Sequence, residues 1–360
     1  MKFSPHQLLF VLILSLGISN HVLLLPHLLK IAKRDSWICI LIGYAILIAW
    51  GFLLHLIMKK NEKQKLSSWL KERTNGIISG FIILLFFIYI VVSGTFTFYD
   101  FVQTIDIYFL PLTPVWVIAI SFLLLCISIA YYNLKTIVYM SVILLPFVWI
   151  LGIFVALGTL EEKNYSYIFP ILSQGTGPIV EGTLIFLGGS VDLLLILLLQ
   201  QHANKSFSFF TIFMLITLLA VLTLGPALGS IASFGPNVAA ELRFPAFEQW
   251  RLIIIGQYVS HLDFLAVFQL LSGSTLRIAL FLFLIYDIFD VQSNVVKKTI
   301  LFVYSIILAV VSIYPISDIW VTQTLRYYVY PSSIIFGGGI TLVLLAVSYL
   351  LKKKGVDESI

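Results

Sequence analysis

Ten apolar segments of about twenty residues follow one another along this 360-residue chain, at 7–29, 37–58, 77–99, 113–132, 137–158, 179–200, 208–232, 264–288, 299–316 and 331–351. At 1.5 Å per residue, about twenty apolar residues make a helix that crosses the hydrocarbon core of a bilayer. The backbone in lipid must pair its own N–H and C=O groups, so these segments read as transmembrane helices. The composition agrees. Hydrophobic residues make up 60% of the chain and charged residues 11%, whereas soluble domains carry about 25% charge. The longest polar stretch, 59–75, is too short to fold alone. The expectation is an all-α polytopic membrane protein, with one transmembrane permease-like domain over 1–360. Lys2 and the apolar run from Leu8 resemble a signal peptide. The run continues through Pro26 to Leu29 without an A-x-A cleavage site, so it reads as a retained first span.

Two of the ten segments are interrupted at matching depth, the first by Gly17-Ile18-Ser19-Asn20 and the sixth by Gly188-Gly189-Ser190. Paired interruptions in the two halves of a chain point to a transporter-type binding site at the bilayer midplane. Backbone groups freed by unwinding cannot face lipid, so they must line a cavity.

With ten spans, both termini lie on one side. Fourteen of the 22 Lys and Arg residues fall on that side, among them the cluster from Lys59 to Arg73 and Lys352 to Lys354. Seven fall on the other side, and Arg277 lies within a span. This bias places both termini in the cytoplasm. It also accounts for the net charge of +5, with no nucleic-acid partner implied. The largest outer connection, 234–262, reads as an outer-face helix or cap, with a plain connecting loop as the alternative. Cys39 and Cys126 sit inside spans as small packing residues. No Walker loop, zinc-protease motif or nucleophile elbow occurs, and Ser260-His261-Leu262-Asp263 is a local coincidence. The reading is therefore not an enzyme, with no cofactor and no metal site.

Asp192 lies in the middle of the sixth span and Arg277 in the middle of the eighth. Ionisable groups at that depth are costly and normally face a cavity or a partner. The two suggest a buried ion pair, either structural or a gate whose pairing changes with conformation. Glu181 opens the sixth span, where it either complements the helix dipole or marks a cavity mouth. His21 is a candidate cavity-lining or pH-sensitive residue. His21 and His27 are six apart, off one helical face, which argues against a metal site. Tyr89, Ser93 and Thr97 form a polar stripe at i, i+4, i+8 on the third span. It serves either interhelical hydrogen bonding or a ligand-cavity wall.

Several stretches together resemble the endospore germination permeases, the B subunits of Ger-type germinant receptors in the amino acid–polyamine–organocation superfamily. They are Phe3-Ser4-Pro5-His6-Gln7-Leu8, then Leu16-Gly17-Ile18 with Leu25-Pro26, and Asp35-Ser36-Trp37-Ile38. Next come Tyr108-Phe109-Leu110-Pro111-Leu112-Thr113-Pro114, Phe169-Pro170-Ile171-Leu172, and Phe244-Pro245 with Glu248 and Arg251. The resemblance runs from about residue 3 to 351. It implies a LeuT-like fold, with inverted five-helix repeats at about 7–158 and 179–351 and with helices 1 and 6 broken. It also implies a nutrient-sensing subunit in the spore inner membrane, working with A-type and C-type partner subunits on a germinant that is usually an amino acid. Within that frame a ligand carboxylate accepts N–H bonds at Gly17 to Asn20. Its ammonium meets carbonyls near Leu187 to Gly189, and Tyr89 and Ser93 close one wall. A proton-coupled amino-acid permease and an ion or water conduit gated by partner subunits are the alternatives.

Overall fold

The computed structural model describes residues 2–254, 262–289, 291 and 293–352. Among these residues the regular structure is helical, with a single isolated bridge, Phe3 to Ala203, in place of any strand. Helix α1 (Pro5–Ile18) starts on a capping box. Ser4 Oγ accepts from the Gln7 N–H at 3.2 Å, and the Gln7 side chain accepts from the Ser4 N–H at 2.9 Å. A π-turn, Ser19–Leu24, carries the chain unbroken into α2 (Leu25–Ala32). Lys33, in the left-handed region at φ 44°, ends α2. A short 3-10 turn follows, then α3 (Ser36–Asn61).

The chain continues through α4 (Leu66–Arg73), α5 (Gly76–Tyr108), α6 (Val115–Tyr131) and α7 (Leu134–Gly158). Asn75 caps α5 by accepting from the Ile78 N–H at 2.8 Å. Then come α8 (Gly177–Gly189), a 3-10 turn over Val191–Leu194, α9 (Leu195–Leu199) and α10 (Phe209–Phe234). The short helices α11 (Pro236–Glu241) and α12 (Pro245–Glu248) lead to α13 (Phe264–Asp287) and α14 (Asn294–Ile313). Last are α15 (Asp318–Thr324), a second π-turn (Leu325–Val329) and α16 (Tyr330–Ser348).

Among the described residues, eight helical stretches are long and apolar enough to cross a membrane. The difference from the ten expected has two sources. Pro5–Asn61 is counted as one run of 57 residues although Lys33 and a 3-10 turn divide it, and α6, with 17 residues, is short. The tenth segment also begins earlier than its proline suggested. Its stretch starts at Asp318 and passes through Pro331 to Ser348. Both π-turns end two residues before a proline, Leu24 before Pro26 and Val329 before Pro331. A proline ring collides with the carbonyl four residues back and offers no N–H. Widening the preceding turn relieves both problems without ending the helix.

Two stretches form the centre. In Gly177–His202, 89% of the most apolar window is buried, and in α13 78%, against 11% in α7. They therefore carry the side chains most shielded from lipid and water. The connection at 234–254 contains α11, α12 and a 3-10 turn, Gln249–Leu252. Its Gln249 donates to Ser230 Oγ at 3.0 Å and to the Pro226 carbonyl at 3.3 Å. Trp250 and Ile253 bury themselves beside Ala266 in a small separate cluster. Ser260 and His261 lie outside the described residues.

Candidate functional site

Arg277, midway along α13, is among the largest fully buried side chains of the protein. Its Nη1 lies 2.6 Å from Asp192 Oδ2, with the two side chains 1% and 2% exposed. Asp192 sits in the 3-10 turn that follows α8. The Tyr89 hydroxyl donates to the other carboxylate oxygen, Oδ1, at 2.7 Å. Arg277 donates through Nε to Thr97 Oγ1 at 2.8 Å, through Nη2 to Ser93 Oγ at 2.7 Å and through Nη1 to the Ser15 carbonyl at 3.1 Å. Its guanidinium also lies over the Phe281 ring, 4.6 Å from the centroid. The stripe Tyr89, Ser93, Thr97 on α5 thus runs along the pair and supplies its hydroxyl partners. Isolated charges cost several kcal/mol each at such burial, and the pair persists because its hydrogen-bonding groups are engaged as well. The site as a whole is close to neutral.

A cavity of about 220 Å³ opens beside the pair. Ser19, Tyr89, Ser93, Gly188 and Gly189 line it together with Asp192 and Arg277. Much of the rest of its lining is apolar and aromatic. The Phe336 ring stacks on Tyr89 at 5.0 Å between centroids, and Phe96 and Tyr330 also line the space.

The other five expected ligand-site residues lie elsewhere. Gly17 faces Leu222. Ile18 packs on Gly273 and shares a pocket of about 60 Å³ with His21. Asn20 and Ser190 line a pocket of about 10 Å³ that also touches Asp192, and Ser190 Oγ donates to the Phe186 carbonyl at 2.8 Å. Leu187 packs against the core. The reason is geometric. Successive residues of a continuous helix point about 100° apart, so four in a row cannot share one cavity unless the chain unwinds.

Both interruptions depart from α-helical geometry without an extended unwound segment. In the first the chain widens into the π-turn, and His21 Nδ1 donates to the Gly17 carbonyl at 2.5 Å. In the sixth, α8 continues to Gly189 and then tightens to 3-10 geometry. The two glycines there provide space. A Cβ at Gly188 would stand 2.6 Å from the Tyr330 carbonyl oxygen, and one at Gly189 would stand 2.8 Å from Leu24 Cδ1. Both π-containing helices therefore approach α8 at the point where it carries no side chain.

Sequence reasoning missed the contribution of the last helix, from which Leu325, Val329, Tyr330, Ser333 and Phe336 line the cavity. The adjacent pair Ser332-Ser333 in an apolar span was the available signal. It also missed a second charge cluster, in which Arg243 pairs with Asp100 and with Asp318, both at 3.0 Å. Burial opposes the charge on Arg243, but the two carboxylates outweigh it and hold its pKa above the usual arginine value. Glu181 pairs with Arg326 at 2.7 Å, and His27 meets the Tyr330 ring edge-on at 5.5 Å.

The model of a family described as spore germination protein matches residues 2–319. The chain is 34% identical to spore germination protein XB of Bacillus anthracis over 348 residues, 97% of this chain and 98% of that protein. It is 27% identical to the putative spore germination protein YfkT of Bacillus subtilis (strain 168) over 268 residues, 73% of this chain and 72% of that protein.

Proposed function

The chain belongs to the spore germination protein family, and we propose that it is the nutrient-sensing membrane subunit of a spore germinant receptor. One observation carries this reading. A cavity of about 220 Å³ is lined both by the paired Asp192 and Arg277 and by the aromatic residues Phe96, Tyr330 and Phe336. Such a site suits a small molecule with a polar end and an apolar end, and an amino acid is the simplest one. Its carboxylate competes for Arg277 and its ammonium for Asp192. A ligand that binds one arrangement of this pair better than another shifts the protein between conformations. Partner subunits of the A and C type read that shift, and no chemical bond changes.

The fold in this reading is LeuT-like, with ten spans in inverted repeats over about 7–158 and 179–351. Two facts support that count. The 57-residue stretch has its left-handed residue, Lys33, midway, and α6 is an apolar helix without charged residues. The excess of Lys and Arg on one side supports placing both termini on the core side of the spore inner membrane.

The test is nutrient-triggered germination of spores with the gene deleted and then restored, across amino acids, sugars and nucleosides. Loss of the response to one nutrient class, recovered on complementation, is the expected result. An unchanged response to every nutrient would move the assignment to a second reading, a proton-coupled amino-acid permease. The buried Asp192 carboxylate favours that reading, because intramembrane acids serve as proton relays in transporters. Uptake of labelled amino acid into vesicles decides between them.

A further inference from the structure

A second cavity, of about 430 Å³, lies at the opposite end of α13 from its N-terminus. It is bounded by the N-terminal Phe3, the α6–α7 turn, His202, the end of α13 and the start of α14. This is the lysine-rich end of the molecule. Lys65, Lys135 and Lys297 all reach the cavity. Its described acid is Asp287, whose Oδ2 is already held by Gln201 Nε2 at 2.7 Å and His202 Nε2 at 3.2 Å. Lys135 and Lys297 form no ion pair among the described residues. Each instead lies against an aromatic ring, Lys135 over Tyr139 at 5.6 Å and Lys297 over Tyr286 at 5.4 Å. These rings hold the ammonium groups near the cavity without neutralising them.

The rim points to what fills the space. Tyr131, Tyr132, Tyr139 and Val295 are exposed beside the cavity, and Lys298 lies over Tyr131 at 5.9 Å. Tyrosines and lysines together at the ends of apolar helices mark the level of lipid headgroups. A basic hollow at that level, continuous with exposed apolar helix surface, has the chemistry of a site for an anionic lipid. We propose that this cavity binds the phosphodiester headgroup of an anionic phospholipid, with Lys135 and Lys297 contacting the phosphate. The acyl chains lie along the exposed faces of α6, α7 and α14. This site is separate from the nutrient cavity and does not depend on the receptor reading.

The test uses the purified full chain in vesicles of mixed phosphatidylglycerol and phosphatidylcholine. Lipids retained after release into detergent are counted by native mass spectrometry. Preferential retention of one phosphatidylglycerol is expected, unaffected by excess inorganic phosphate. Retention should fall about fivefold for each lysine replaced in Lys135→Gln and Lys297→Gln. The pair Lys59→Gln and Lys205→Gln removes equal charge from the same end outside the cavity and should retain the lipid. Unchanged thermal unfolding in pure phosphatidylcholine checks that the variants fold. Equal retention of both lipids, equal loss in the control pair, or displacement by inorganic phosphate would each overturn the proposal.

Discussion

The Tyr89 hydroxyl and the Arg277 guanidinium hold opposite oxygens of one carboxylate, that of Asp192, at 2.7 and 2.6 Å. The three groups come from three separate helices, so the charge pair acts as a tie across the core. Removing one charge leaves the other buried and unpaired. Asp192→Leu or Arg277→Met alone should each destabilise the protein by about 3–5 kcal/mol, while the double variant should recover most of that loss. Unfolding midpoints in detergent check this. Additive losses in the double variant would show that the two charges do not depend on each other.

Tyr89 has two roles that one substitution separates. Tyr89→Phe keeps the ring stacked on Phe336 and deletes the donor to Asp192. A lost hydrogen bond to a charged group costs about 1.5–3 kcal/mol. Tyr89→Ala should cost more, because the cavity wall goes as well. If Tyr89→Phe unfolds at the wild-type temperature, the hydroxyl does not brace the carboxylate.

Gly188 and Gly338 make a matched comparison. A methyl group at Gly188 meets the Tyr330 backbone at 2.6 Å, whereas one at Gly338 meets nothing within 4 Å. Gly188→Ala should lower stability by about 1–3 kcal/mol as α8 and α16 are forced apart. Gly338→Ala should stay within about 0.5 kcal/mol of wild type. On the receptor reading, only Gly188→Ala should also blunt nutrient-triggered germination of complemented spores.

Arg243 bridges Asp100, whose side chain is 9% exposed, and Asp318, which is 45% exposed. The two contacts should differ in worth. Asp318→Asn should cost at most about 1 kcal/mol, as for a surface pair. Arg243→Gln should cost more, because it leaves the Asp100 carboxylate uncompensated. Comparing the two unfolding curves tests that order, and equal losses would mean that Asp100 keeps access to water.

Individual residues show how far the sequence could be read. Asp192 and Arg277 stood out because a charge in an apolar run is expensive wherever the run folds. Tyr89, Ser93 and Thr97 stood out because helical periodicity alone places them on one face. The π-turns were not legible: Pro331 reads as the start of a span, whereas the helix widens ahead of it and continues. The role of Gly188-Gly189 was not visible. A glycine pair that breaks a helix and one that admits a neighbour look alike until the neighbour, here Tyr330 and Leu24, is in place. Nor could Arg243 be joined to Asp100 across 143 positions.

The sequence alone determined that this chain is a bundle of membrane-length helices, because apolar length and backbone hydrogen bonding are local properties. Its germination-family character was legible there too, in short motifs kept in order along the chain. Only the tertiary structure decided which residues share a cavity. That depends on the rotation of each helix about its axis and on how closely two backbones approach, and both are set by packing between segments far apart in the chain.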